Sequence, residues 1–159
     1  MRVSSRRATS GDLDALRRLY RLLEAEMVGL HKMWPQADGL DEPIETSLIK
    51  AIGDEKTVVF IGSIEEYPFG FLLARIEPML DQADGEQLGV IRFIYVEPDA
   101  REVAVAEAMR DEAMTELRRH GISKFDAHVL PGHRLAKNFF ESGGFAARSI
   151  VMHHDDHRG

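Results

Sequence analysis

The residues best suited by type and spacing to do chemistry lie in "AREVAVAE" (Ala100 to Glu107), where a strand-like run gives way to a helix-like one. A helix start carries backbone N–H groups with no intrahelical partner and the positive end of the helix dipole, so it attracts phosphate oxygens. The spacing is that of a phosphate-cradling turn, but no glycine occupies it. Glu102 lies within the turn, where a carboxylate caps a bare helix. Beside a bound phosphate the same charge would cost on the order of 1 kcal/mol, which Arg101 can offset. On the turn alone, a plain strand-to-helix connection with no ligand is the better reading of the residues.

Three other groups carry chemistry. Arg92 sits inside the strand-like "GVIRFIYVE". Its guanidinium stays protonated up to a pKa above about 12, so it is no base. It can grip a carboxylate or phosphate bidentately, or pair with a neighbouring acid such as Glu77 across a sheet. Alternation places it with Val90 and Ile94 on the face of Val96. The "HKMWP" segment brings His31 and Trp34 together, either to shape a pocket or, for Trp34, to cap the core. The tail "HHDDHRG" offers His153, His154, Asp155, Asp156 and His157 as metal-ligand types. Their adjacency points them to alternate sides of an extended chain, so no metal is assigned.

The elements that must position these groups follow from periodicity. Val3 to Arg7 makes a short first strand, and Thr9 with Asp12 reads as a helix start with a carboxylate in its first turn. Leu13, Leu16, Tyr20, Leu23, Met27 and Leu30 form one helical stripe. "HKMWPQADGLDEP" breaks that helix, and a shorter one follows with Ile44, Leu48 and Ile52 on one face, closed by Gly53. "TVVFIGS", "FGFLLARIE" and "GVIRFIYVE" are strands, joined through turns at "EEYP" and at "DQADGEQ", whose tightest point is Asp84-Gly85. "AVAEAMRDEAMTELRRHG" is a helix with Val105, Met109, Ala113 and Leu117 inward. "FDAHVL" is a strand, "RLAKNFFESGG" a short helix and "SIVMHH" a last strand. The order β-α-α-β-β-β-α-β-α-β implies a mixed α/β fold with a mostly antiparallel central sheet and one right-handed parallel β-α-β crossover. The expectation is a single domain over residues 1–159.

Bulk properties exclude several classes. Of the 159 residues, 44% are hydrophobic and 30% charged, a balance of globular proteins. No apolar run approaches the roughly 18 to 20 residues that span a bilayer, and "MRVSSRRATS" has no apolar core to make it a secretory signal. With no cysteine there is neither a disulfide framework nor thiolate chemistry, which suits a cytoplasmic protein. A formal charge of −7 disfavours nucleic acid and favours cationic partners.

This order of elements, together with "IRFIYVEPDAREVAVAEAM" and "HVLPGHRLAKNFFESGGF", resembles the GNAT superfamily of acyl-CoA-dependent N-acetyltransferases. The likeness runs over nearly the whole chain and is most specific in residues 90–118 and 124–146. The family pattern is V-x-P-x-x-R/Q-x-x-G-x-G/A, followed further on by N-x-x-A-x-x-F-Y-x-x-x-G-F. Val96, Pro98, Arg101 and Ala106 fit the first, and Ala136, Phe139, Gly144 and Phe145 the second. The resemblance implies an acetyl group moving from acetyl-CoA to a primary amine of a small molecule or peptide by direct attack. It implies that the amides of Arg101, Glu102, Val103, Ala104, Val105 and Ala106 hold the CoA pyrophosphate, while Ile94, Tyr95 and Val96 run beside the pantetheine arm. His133 and Phe140 would adjoin the same cofactor, and Arg92, His31 and Trp34 the acceptor.

The departures from the pattern set the open questions. Ala104 replaces a glycine; a positive φ there would cost about 1–2 kcal/mol, whereas a negative φ would only limit phosphate approach. Phe140 replaces the tyrosine that protonates the leaving thiolate, and a phenyl ring has no proton to give. His133 stands where the family often has asparagine. Glu97 and His128 are the nearest substitutes for a base. A catalytically silent acyl-CoA-binding or regulatory domain is therefore the alternative, and a ligand-free structural domain a third. The pattern leaves room for a homodimer.

Overall fold

The computed structural model describes residues 2–101 and 103–157. The strands are β1 (Val3–Arg7), β2 (Thr57–Ile64), β3 (Tyr67–Pro78), β4 (Gln87–Val96) and β5 (Lys124–Ala127). The helices are α1 (Leu13–Leu30), α2 (Trp34–Ala37), α3 (Ile44–Gly53), α4 (Val105–Arg119) and α5 (Arg134–Ser142). The sheet runs β1-β2-β3-β4-β5, antiparallel throughout except for the parallel β4–β5 pair that α4 connects. This is the expected mixed α/β arrangement with its single parallel crossover.

Local chemistry sets the boundaries. The Asp12 carboxylate ends the first turn by accepting from the Thr9 amide at 2.8 Å, and Arg6 of β1 grips both its oxygens at 2.8 Å. Arg6 and the Thr9 amide hold the Asp12 pKa below the ordinary carboxylate value despite partial burial. The hairpin between β3 and β4 closes on Asp84 and Gly85, with φ of 54° and 83°. Glycine adopts that left-handed region at no steric cost, and aspartate tolerates it.

Two apolar layers sandwich the sheet. Leu16, Leu19, Tyr20 and Leu23 of α1 meet Phe71, Leu73, Phe93 and Tyr95 on one face. Val105, Met109, Ala113 and Leu117 of α4 meet Phe60, Leu72, Ile91 and Val96 on the other. Each fully buried side chain of this size contributes about 1.5–3 kcal/mol of transfer free energy. Glycines permit close packing: a Cβ on Gly62 would stand 2.6 Å from Val105 Cγ1 of α4, and one on Gly70 2.7 Å from the Tyr95 carbonyl oxygen of β4 and 3.1 Å from Met109 Cε of α4.

Three expectations need correction. "SIVMHH" makes no strand; Ile150, Val151 and Met152 are 71%, 90% and 88% exposed. β-Branched residues favour a strand only where a partner edge takes their backbone bonds. Here Arg148 instead binds the Asp126 carboxylate of β5 through its side chain. Second, "HKMWPQADGLDEP" ends α1 as expected but also holds a short helix, α2, that the sequence reading does not include. Third, strict alternation fails in β4. Leu73 pairs with Phe93 but Ala74 pairs with Ile91, so Arg92 is an extra residue in a β-bulge. Ile91, Ile94 and Val96 therefore face α4. Arg92 points to the opposite face, where it meets Glu77, and does not share the face of Val96.

Candidate active site

A groove opens where β5 leaves β4. Their parallel pairing runs from Leu88–Lys124 to Ile91–Ala127, and the His128 amide adds one bond to the Ile91 oxygen at 3.3 Å. β4 continues to Val96 with β3 on one side only, so the stretch from Arg92 to Val96 has an edge that no described strand takes up. Beyond its end the chain makes a 3-10 turn at Pro98–Ala100 and enters α4. The first α-helical bond runs from the Ala108 amide to the Ala104 oxygen at 3.1 Å. The amides of Ala106 and Glu107 precede it, so helix geometry leaves them without intrahelical acceptors. Ala104 caps the helix at φ −70° and ψ 37°, so its methyl imposes no left-handed strain. Val103 and Val105 are tied within the turn, Val105 donating to the Val103 oxygen at 2.6 Å. Glu102 lies outside the described residues.

Arg101 is the cation of this turn among the described residues. Its Nε donates to the Val96 oxygen at 2.8 Å, and the guanidinium lies 5.4 Å from the Tyr95 ring centroid. One terminal nitrogen donates to Glu26 Oε1 at 2.6 Å. The other Glu26 oxygen lies 3.2 Å from His133 Nε2. His133 caps α5, its Nδ1 accepting from the Ala136 amide at 3.0 Å. Because Nδ1 accepts, the neutral ring carries its proton on Nε2 and donates it to Glu26. His133, followed by Arg101, holds the Glu26 pKa below the ordinary carboxylate value, against partial desolvation. These side chains line a cleft of about 260 Å³ together with Leu30 and Leu135. The structure thus brings Arg101 and His133 together. Glu26 was not legible beforehand, because a glutamate on the polar side of a helix carries no sequence signal of its own.

The candidate bases are separated. Glu97 donates its amide to Phe69 on the β3 side, and its carboxylate pairs with Arg18 of α1 at 3.0 Å. His128 stands where β5 diverges. Its ring reaches solvent, yet desolvation by the surrounding protein, followed by the Arg92 charge, lowers its pKa below the ordinary histidine value. Arg92 donates from Nε to Glu77 Oε2 at 2.9 Å, with a second guanidinium nitrogen 2.7 Å from the same oxygen.

Two assignments meet a packed core. Phe140 is 4% exposed, stacked edge-on between Phe139 and Phe145 at 5.0 and 5.2 Å. Trp34 is 6% exposed against Phe93 and Tyr20, the core-capping arrangement that is the other reading of this residue. His31 does reach one: with Lys32, Met33, Gln36 and the tail residues His153 and Asp155, it borders a cavity of about 600 Å³. Among the described residues no group of three or more metal-ligand side chains is arranged to hold an ion, and no helix is long and apolar enough to cross a membrane.

The sequence profile of the acetyltransferase (GNAT) family matches residues 16–145. No curated protein sequence matches the chain. Among solved structures, an aminoglycoside N-acetyltransferase bound to CoA superposes with a TM-score of 0.76 at 16% identity, covering 99% of this chain and 96% of that one. An aminoglycoside acetyltransferase from an uncultured soil metagenome, solved with trehalose, gives 0.72 at 16% identity, with 99% and 97% covered. A transcriptional regulator from Bacillus halodurans gives 0.76 at 20% identity, with 96% and 100% covered. At such identities the structural likeness is one of fold.

Proposed function

The chain belongs to the GNAT acetyltransferase family, and from that premise we propose that it transfers an acetyl group from acetyl-CoA to a primary amine of a small molecule or peptide. The observation that carries this reading is the groove: a β4 edge that no described strand takes up where β5 diverges, ending at the start of α4, whose N-cap Ala104 has no capping side chain. Those features fit the two parts of an acyl-CoA. A free strand edge can bond the amides of a pantetheine arm, and a helix N-terminus can meet a pyrophosphate. Acetyl-CoA supplies the activated thioester carbonyl when bound.

The chain's own groups then divide the work. A β4 backbone amide between Arg92 and Val96 orients the thioester carbonyl and stabilises the charge that develops on it. His128, neutral because its pKa is depressed, takes the proton of the attacking amine. Glu97, held by Arg18, is the weaker candidate for that step. Phe140 supplies no acid, so the thiolate leaves unprotonated, which a thiol pKa near about 8.5 allows. Arg92, with its neighbours His128 and Glu77, faces the acceptor side and favours an acceptor that also bears an anionic group. Alignment of amine and thioester would carry most of the rate. A cytoplasmic location accords with the absence of cysteine.

The buried phenyl of Phe140 favours one second reading, a silent acyl-CoA-binding domain. Thermal melting with acetyl-CoA and with CoA, paired with thiol release across a panel of amines, tests both. A rise in melting temperature with thiol release supports the enzyme. A rise without release supports the silent binder, and no shift at millimolar ligand overturns both.

A further inference from the structure

Glu26 joins three parts of the chain that are remote in sequence. It lies on α1, 75 residues from Arg101 and 107 from His133, and each of its oxygens serves one of them. Arg101 is also fixed to the last carbonyl of β4, at Val96, and His133 to the first turn of α5. The carboxylate therefore links the end of β4, through Arg101, to the first turn of α5, through His133. It does more than pair charges. By accepting from His133 Nε2 it selects the tautomer whose Nδ1 can cap α5, and by accepting from Arg101 it sets the guanidinium against the Tyr95 ring. Side chains this long have several alternative rotamers, and holding them in one removes an ordering cost from the binding step.

We infer that Glu26 is a positioning residue of the groove, whose two oxygens orient Arg101 and His133 to receive an acyl-CoA. The inference rests on the groove being the acyl-CoA site. It is separate from the choice of base, because Glu26 has both oxygens engaged and acts through its two partners.

The test compares the wild-type protein with Glu26→Ala, Glu26→Gln and Glu26→Asp by calorimetric titration of CoA, thermal melting and 15N NMR of the His133 ring. The expected result is at least a tenfold weaker CoA Kd in Glu26→Ala, with partial recovery in Glu26→Asp, while the melting temperature moves by only a few degrees. The His133 ring should report an Nε2-protonated neutral form in the wild type. In Glu26→Gln, whose amide has a single acceptor oxygen, it should become a mixture of tautomers. An unchanged or tighter Kd in Glu26→Ala overturns the inference, as does a His133 signature indifferent to every Glu26 variant. Absence of CoA binding by the wild type overturns the acyl-CoA reading itself and would be seen before any variant is made.

Discussion

At the scale of single residues, the chemistry turns on groups whose charge state the surroundings set. Desolvation and the Arg92 charge push the His128 pKa down from 6.5, so the ring is neutral above that lowered value and charges only as pH falls through it. A base must be neutral to accept a proton. We therefore expect kcat/KM to hold steady near neutrality and to fall only on an acid limb below the usual histidine range. His128→Gln should lower the rate by about 10²–10⁴-fold and abolish that limb. A limb that persists in the variant, or lies above the usual range, would remove His128 from the role. Arg92 makes a separate prediction. Arg92→Gln should weaken an acceptor carrying a carboxylate far more than it weakens CoA, measured as KM for each; equal losses would reduce the arginine to a partner of Glu77. Much of this was legible in the sequence. The turn and its arginine could be read directly, because they are local patterns. Glu26 could not, because what makes it special is proximity to residues 75 and 107 positions away.

At the scale of elements, α1, α3 and α4 and the strands β2, β3 and β4 follow from their apolar runs and periods, since burial is what these record. The failures are those of pairing. A bulge at Arg92 reverses the facing of half a strand, and nothing in "GVIRFIYVE" marks where the extra residue falls. "SIVMHH" has strand composition, yet Ile150, Val151 and Met152 stand in solvent, because composition does not supply a neighbouring edge. Packing of α4 on the sheet gives a contrast that stability measurements can resolve. A methyl at Gly70 would meet the Tyr95 carbonyl oxygen at 2.7 Å, and backbone cannot yield as a side chain does. Gly70→Ala should cost about 1–3 kcal/mol in chemical denaturation. Gly29, within α1, has nothing within 4 Å of where its Cβ would lie. Gly29→Ala should therefore gain about 0.5–1 kcal/mol from helix propensity. The same sign for both would mean that contact distances at these positions do not govern the cost of an added methyl.

At the scale of the whole molecule, the net charge of −7 acts on the two proposed substrates in opposite directions. A CoA thioester is a polyanion and an unreacted amine a cation near neutral pH. Beyond a Debye length, about 10 Å at 0.1 M salt, an approaching ligand is largely screened from individual side chains, so dilute salt reveals the summed field most strongly. That field attracts the acceptor and repels the cofactor. Close to the protein the order is local: at the groove's end Arg101, held in place by Glu26, and the α4 amides are the attraction for phosphate. Raising ionic strength from roughly 0.01 to 0.3 M should then raise KM for a polyamine acceptor, while KM for acetyl-CoA falls or stays level. An amine without a second charge should respond less than a polyamine, because the attraction grows with ligand charge. Steady-state kinetics at fixed pH across that salt range measures all three. If the acetyl-CoA and polyamine constants rise together, local attraction at the cofactor's phosphates outweighs the summed field of the acidic protein, since salt screens a helix start as it screens a side-chain cation.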